Sequence, residues 1–347
     1  DNEFLAIGHY QNTSIAVRIL SFDDIAIDQA FWNERIASAY NYRKLLGLTD
    51  STETNCYRLV HGEGDNLSGL VVDFYNGTAV VQCHSVGMYR NLENIVLALK
   101  QIMGEKLTAI YNKSEGTLPL KGEIECKDGL LWGEISTELA KEYGNTFFID
   151  WIQGQKTGFF IDQRENRKLV EKYSQGKAVL NTFCYTGGFS VYALRGGASK
   201  VVSVDCSARA IELTDKTVGL NFPNANHQSV VSDTFKYLDN NKDEFDLIIL
   251  DPPAFAKHNK ALNQALQGYK KLNMKAIQQI KKGGILFTFS CSQAVSKEEF
   301  RKSVFAAAAN TKRKVRILHQ LTQPADHPIS IYHPEGEYLK GLVLEIE

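Results

Sequence analysis

The 347-residue chain has no apolar run approaching the roughly 18 residues that a membrane-crossing helix needs. It has no basic-then-apolar stretch at its start of the kind that directs secretion. Its six cysteines (Cys56, Cys83, Cys126, Cys184, Cys206, Cys291) form no C-x-x-C pair, and no histidines are spaced as partners for them. That pattern excludes a simple zinc site and, in so long a chain, a disulfide framework. The expectation is a reduced, cytoplasmic protein with no membrane partner. An excess of one charge is also missing: 39 basic residues face 40 acidic ones, for a net charge of −1. Global charge therefore gives no support to nucleic-acid binding, which would have to rest on local patches. An initiator methionine is absent from Asp1-Asn2-Glu3, so the chain reads as part of something longer.

What is present is organised around one stretch, Ala178 to Asp205. A short apolar run, Ala178-Val179-Leu180, leads through Asn181-Thr182-Phe183 into the small-residue turn Cys184-Tyr185-Thr186-Gly187-Gly188. An amphipathic segment, Phe189 to Arg195, precedes a second apolar strand that ends on Asp205. Strand, glycine turn, helix, strand and acid make a βαβ unit. The glycines let backbone approach a ligand without a Cβ in the way. A carboxylate about 20 residues further on suits the hydroxyls of a ribose. The three-glycine fingerprint G-x-G-x-x-G is missing, however, which disfavours a pyrophosphate and favours a nucleoside ligand without phosphates. S-adenosylmethionine fits that description.

The rest of the chain alternates around this unit. Residues 1–22 read as two strands at the end of a small β domain, and residues 28–47 as a helix. That helix would bury Phe31, Ile36, Ala39, Leu45 and Leu46 and turn Arg35, Arg43 and Lys44 to solvent. Residues 56–111 read as a compact α/β module whose loop His61-Gly62-Glu63-Gly64-Asp65-Asn66 is a structural turn. Asp162 reads as the N-cap of a helix. After Asp205, strands and helices continue to alternate. The expected fold is therefore α/β, with a Rossmann-like, doubly wound, mostly parallel sheet. Three segments are expected: 1–22, 23–135 and 136–347.

In such a sheet, ligands bind outside the carboxyl ends of the strands. Asp205, Asp233, Asp251 and Cys291 each fall at such an end. Asp251-Pro252-Pro253 follows the apolar run Leu247-Ile248-Ile249-Leu250, and its first proline stiffens the turn, holding carbonyls and the Asp251 carboxylate outward. Cys291 sits in Ser290-Cys291-Ser292, where it is either a small core residue or a nucleophile. Carbon 5 of a pyrimidine is not nucleophilic until a thiolate has added to carbon 6, which gives such a cysteine a chemical purpose.

Several motifs carry a family resemblance. They are Gln155 to Arg167, Asn181 to Ser190, Asp251-Pro252-Pro253-Ala254-Phe255, Ser290-Cys291-Ser292, and the ending His327-Pro328…Pro334-Glu335-Gly336-Glu337-Tyr338-Leu339-Lys340-Gly341. Together they resemble the class I, S-adenosylmethionine-dependent ribosomal RNA methyltransferases that act on carbon 5 of a large-subunit (23S) cytosine. The resemblance covers nearly the whole chain. It implies that 1–22 is the end of an N-terminal PUA-like RNA-binding domain, 23–135 a central α/β domain, and 136–347 the catalytic domain. It further implies that Phe183, Tyr185 and Gly187 hold the methionine part of the cofactor, with help from Gln163 and Arg164. Asp205 would bind the ribose and Asp233 would lie near the adenine amine. Asp251, Pro252, Pro253 and Lys257 would face the target base, and Cys291 would be the nucleophile. The implied partner is large-subunit ribosomal RNA; a homodimer is compatible with the sequence, which does not set the oligomeric state.

A buried base must be flipped out or single-stranded to be reached. Candidate basic patches for the RNA are Lys312-Arg313-Lys314 with Arg316, Lys281-Lys282, and Lys257-His258. Three other readings compete: a methyltransferase for another RNA atom such as a guanine nitrogen, a nicotinamide-dependent oxidoreductase, and an RNA-binding homologue without catalysis.

Overall fold

The computed structural model describes residues 3–13, 15–119, 124–256 and 258–347. The chain divides into two compact units. The first comprises residues 1–144, 149–161 and 325–336, and the second 145–148, 162–324 and 337–347. The stretches 149–161 and 325–336 thus return to the first unit from within the segment expected to be catalytic.

In the first unit, β1 (Ile7–Tyr10) and β2 (Val17–Ser21) form an antiparallel hairpin. Helix α1 (Gln29–Leu45) starts on Asp28, whose carboxylate accepts from the Ala30 and Phe31 amides. Five strands follow, β3 (Cys56–His61), β4 (Leu70–Tyr75), β5 (Thr78–Cys83), β6 (Ala109–Asn112) and β7 (Gly129–Gly133), which lie in sequence order in one sheet. Helices α2 (Val86–Arg90) and α3 (Leu92–Met103) supply the crossover that makes β5 and β6 parallel. A short strand, β8 (Leu139–Glu142), completes the unit. Helix α1 corrects the sequence reading: Leu45 is 82% exposed, whereas Arg43 is fully buried. The Arg43 guanidinium makes a two-pronged pair with Asp65, at 2.5 and 2.8 Å, and donates to the Arg58 and Asp326 carbonyls. The same loop that reads as a plain turn therefore carries the carboxylate that lets an arginine enter the core.

The second unit opens with β9 (Asn145–Phe148) and α4 (Arg164–Tyr173). Then come β10 (Ala178–Thr182), α5 (Gly188–Arg195), β11 (Lys200–Asp205), α6 (Ala208–Asn221), β12 (His227–Val231), α7 (Thr234–Asn240) and β13 (Phe245–Leu250). The unit closes with α8 (Leu262–Gln279), β14 (Ile280–Ser290), α9 (Lys297–Thr311), β15 (Val315–Leu321) and β16 (Lys340–Ile346). The sheet order is β12-β11-β10-β13-β14-β16-β15; the first five strands are parallel, and β16 alone runs opposite to its neighbours β14 and β15. Strand alternation feeds two cores. Leu180, Ile248, Leu250 and Leu286 pack on one face with α8 and α9. Val179, Leu247, Ile249 and Phe287 pack on the other with α4 and α5. Asp162 does not cap α4, as the sequence suggested. It lies in a 3-10 turn, Ile161–Gln163, and its carboxylate accepts from the Tyr338 hydroxyl at 2.7 Å.

Candidate active site

The strand order reverses at β10, which lies between β11 and β13, so the crevice beyond the carboxyl ends of β10 and β13 is the ligand-binding position of this sheet. Three residues of the turn after β10 are left-handed: Phe183 at φ 55°, Tyr185 at φ 48° and Gly187 at φ 78°. The two aromatic residues pay for that geometry with roughly 1–2 kcal/mol each, the kind of strain that concentrates at functional sites. At Gly187 a side chain is excluded twice over, because an added Cβ would also sit 2.8 Å from Thr214 Cγ2. The turn is held open from outside. Thr214 Oγ1 donates to the Tyr185 carbonyl at 2.8 Å, and the Tyr185 amide donates to Asp205 Oδ2 at 3.0 Å.

Asp205 ends β11 and takes a second amide, that of Ser207, on Oδ1 at 2.9 Å. Two backbone donors fix the carboxylate while leaving further lone pairs for a ligand. That donor set fits a ribose diol: an oriented acid beside a turn of bare backbone, with no lysine in the turn to meet a phosphate. Asp233 lies past β12, exposed, and caps α7 by accepting from the Lys236 amide at 3.0 Å.

Gln163, Asp251 and Asn166 form one hydrogen-bonded chain, of which Gln163 and Asn166 are buried. Asn166 Nδ2 donates to Gln163 Oε1 at 2.6 Å, which turns the amide nitrogen of Gln163 toward Asp251 Oδ1 at 3.0 Å. Arg164 is buried and pairs with Glu165 at 3.2 Å. Beyond β13, Pro252 is buried and Pro253 exposed. Cys291, one residue past β14, places its sulfur 3.9 Å from the Pro252 carbonyl. Lys257 lies outside the described residues. The structure therefore brings Gln163 to Asp251, Tyr185 to Asp205, and Cys291 to Pro252.

Residues that the sequence did not single out hold the Cys291 turn. Tyr269, fully buried on α8, accepts from Ser290 Oγ at 2.9 Å and shares a hydrogen bond with Ser292 Oγ at 3.0 Å. Ser292 Oγ also accepts from the Ala256 amide at 3.3 Å, tying the turn after β13 to the turn after β14. Lys340 Nζ donates to the Ser292 and Val295 carbonyls at 2.6 and 2.7 Å. Serines on both sides of a cysteine were the available signal; their partners lie too far along the chain to be read.

Two of the three candidate basic patches sit elsewhere. Lys281 and Lys282 lie at the start of β14, and Ile346, at the end of β16, pairs with Gly284 and with Val315. Lys281, Lys282, Lys312 and Arg313 therefore gather at the amino end of β14, the length of that strand away from Cys291. Arg313 donates to the carbonyls of Ile277, Ile280, Lys281, Ile346 and Glu347, and Arg316 pairs with Glu345. Arg313 and Arg316 thus staple the sheet's edge, and this cluster lies away from the crevice rather than lining it. Among the described residues, no group of three or more His, Cys, Asp or Glu side chains could hold a metal, and no helix is long and apolar enough to cross a membrane.

A doubly wound sheet with one reversed strand, β16, next to its edge, a strained glycine turn after its first strand and an acid after its second is the class I methyltransferase fold. The chain belongs to the S-adenosylmethionine-dependent methyltransferase family, whose model matches residues 57–331. S-adenosylmethionine is its cofactor and methyl transfer its chemistry. Among curated relatives, the "Ribosomal RNA large subunit methyltransferase I" of Alteromonas mediterranea is 39% identical, over 100% of this chain and 88% of its own. The protein of the same name from Aeromonas hydrophila is 40% identical, over 99% and 88%. Among solved structures, a candidate SAM-dependent methyltransferase from Streptococcus mutans shares the fold at a TM-score of 0.86 and 24% identity, covering 98% of this chain and 88% of that one. A structure of equal similarity is described as complexed with SAH.

Proposed function

We propose that the protein methylates carbon 5 of a cytosine in large-subunit ribosomal RNA, with Cys291 as nucleophile. The observation that carries this reading is the thiol of Cys291 at the mouth of the strand-end crevice, 3.9 Å from the Pro252 carbonyl of the Asp251-Pro252-Pro253 turn. The names of its relatives support ribosomal RNA as the substrate. In a cytoplasmic setting, residues 1–22 would serve as the end of a PUA-like RNA-binding domain and 23–135 as a central domain, ahead of the catalytic segment 136–347.

The cofactor, when bound, supplies an electrophilic methyl group. Asp205 would accept from its ribose hydroxyls, and Asp233 would meet the adenine amine. The Phe183, Tyr185 and Gly187 turn, with help from Gln163 and Arg164, would hold the methionine part. Asp251, oriented by Gln163, would accept from the exocyclic amine of the base, with Pro252, Pro253 and Lys257 bordering it. The Cys291 thiolate adds to carbon 6, and the electron pair displaced onto carbon 5 makes that carbon nucleophilic. Once carbon 5 carries the methyl group, loss of its proton to a base restores the ring's double bond and expels the thiolate.

The test is nucleoside mass spectrometry of large-subunit RNA treated with the wild type and with Cys291→Ala. Methylcytosine from the wild type and none from the variant is the expected result. A methylated guanine, or unchanged product from Cys291→Ala, sinks the proposal.

A further inference from the structure

We infer that Lys340 is a positioning residue for Cys291: its buried ammonium fixes the turn that carries the thiol and sets a positive charge within electrostatic reach of the sulfur, favouring the reactive thiolate. The inference rests on the reading of Cys291 as the nucleophile and goes beyond it in naming what activates the thiol.

Three observations support it. Lys340 begins β16 directly opposite Ser290 in the antiparallel ladder, so its side chain rises from the same face as that of the residue preceding Cys291. It is 4% exposed, unusual for a lysine, and two of its three donors are spent on carbonyls that follow the cysteine, those of Ser292 and Val295. Carbonyl acceptors suit an ammonium as well as an amine, so the geometry holds the side chain in either form. Burial draws the Lys340 ammonium down to about 8, against which the Cys291 sulfur and the carboxylates of Glu337 and Glu299 favour the charged form and Lys297 opposes it. At neutral pH the group is therefore mostly charged, and the coupling that an ionised Cys291 exerts on Lys340 is exerted equally by Lys340 on Cys291. A thiol with no cation near it ionises only around pH 8.5; a fixed ammonium is the device this turn supplies.

The test is the pH profile of iodoacetamide alkylation at Cys291 in the full chain, followed by peptide mass spectrometry. The exposed thiol of Cys206 is the internal reference. In the wild type, Cys291 should reach half-maximal reactivity at least about one pH unit below Cys206, a tenfold difference in thiolate ratio. A midpoint at or above that of Cys206 overturns the inference, and this arm needs no variant to fold. In Lys340→Met the Cys291 midpoint should rise by about a unit while that of Cys206 stays, and Lys340→Arg should recover part of the shift. A folded Lys340→Met with an unmoved midpoint also overturns it. In methyl transfer, Lys340→Met should lower kcat at unchanged KM for RNA. Alkylation requires no RNA, so the two readings fail separately. An active Cys291→Ala removes the nucleophile, whereas an inactive Cys291→Ala with an unmoved Lys340→Met profile removes only the role of Lys340.

Discussion

Single residues in this protein do their work through partners far along the chain. Arg43 and Asp65 are both buried and joined twice, so removing one strands the other's charge. Arg43→Met should cost about 3–5 kcal/mol, read as a lowered denaturant midpoint of the first unit; a loss below ~1 kcal/mol would mean the pair is dispensable. Asp205→Ala should abolish S-adenosylmethionine binding by calorimetry without loss of fold, because only two backbone amides lose an acceptor at a strand end. Gly187→Ala meets both an unfavourable φ and Thr214 and should weaken the same binding while costing roughly 1–2 kcal/mol of stability. The sequence made Gly187 and Asp205 legible because their chemistry is local to one βαβ unit. It did not reveal Arg43 or Lys340. Helical periodicity assigns a basic residue to solvent unless the matching carboxylate or carbonyl is seen, and those partners lie outside any window that periodicity uses.

At the scale of elements, the strands of the catalytic sheet were the easiest to read. Within β13, residues 247–250 are continuously apolar because they are covered on both faces, and that pattern admits little besides a central parallel strand. Helix starts were harder. Ser296 and Glu299 form a complete capping box at α9, whereas α4 follows a 3-10 turn that leaves Asp162 to bind Tyr338 instead. The Tyr269 hydroxyl joins α8 to both serines around Cys291. Tyr269→Phe should therefore leave the helix packed, cost about 1–3 kcal/mol in unmet hydrogen bonds, and reduce kcat more than it changes cofactor affinity. Equal kcat in wild type and variant would show that the serines do not need their tether.

For the molecule as a whole, pH and charge make separate predictions. Burial depresses His9, His61 and His227 below their ordinary 6.5. The unfolded chain binds protons there that the folded chain refuses, so stability present above pH 6.5 should decline as pH falls below it. A melting temperature flat from pH 7.5 to 5 would contradict this. The basic cluster at the amino end of β14 lies the length of that strand from Cys291. Reversing Lys312 tests it as an RNA contact outside the crevice: weaker binding with a salt slope reduced by about one is expected, and an unchanged slope would remove the cluster from the RNA path.

The central claim is a covalent bond between Cys291 and the target base, and a base that cannot lose its carbon 5 substituent would preserve it. The measurement is mass spectrometry of the wild type incubated with S-adenosylmethionine and large-subunit RNA carrying 5-fluorocytosine. The account predicts a nucleotide adduct on the peptide containing Cys291. Methylation of ordinary RNA by a preparation that forms no such adduct would contradict it.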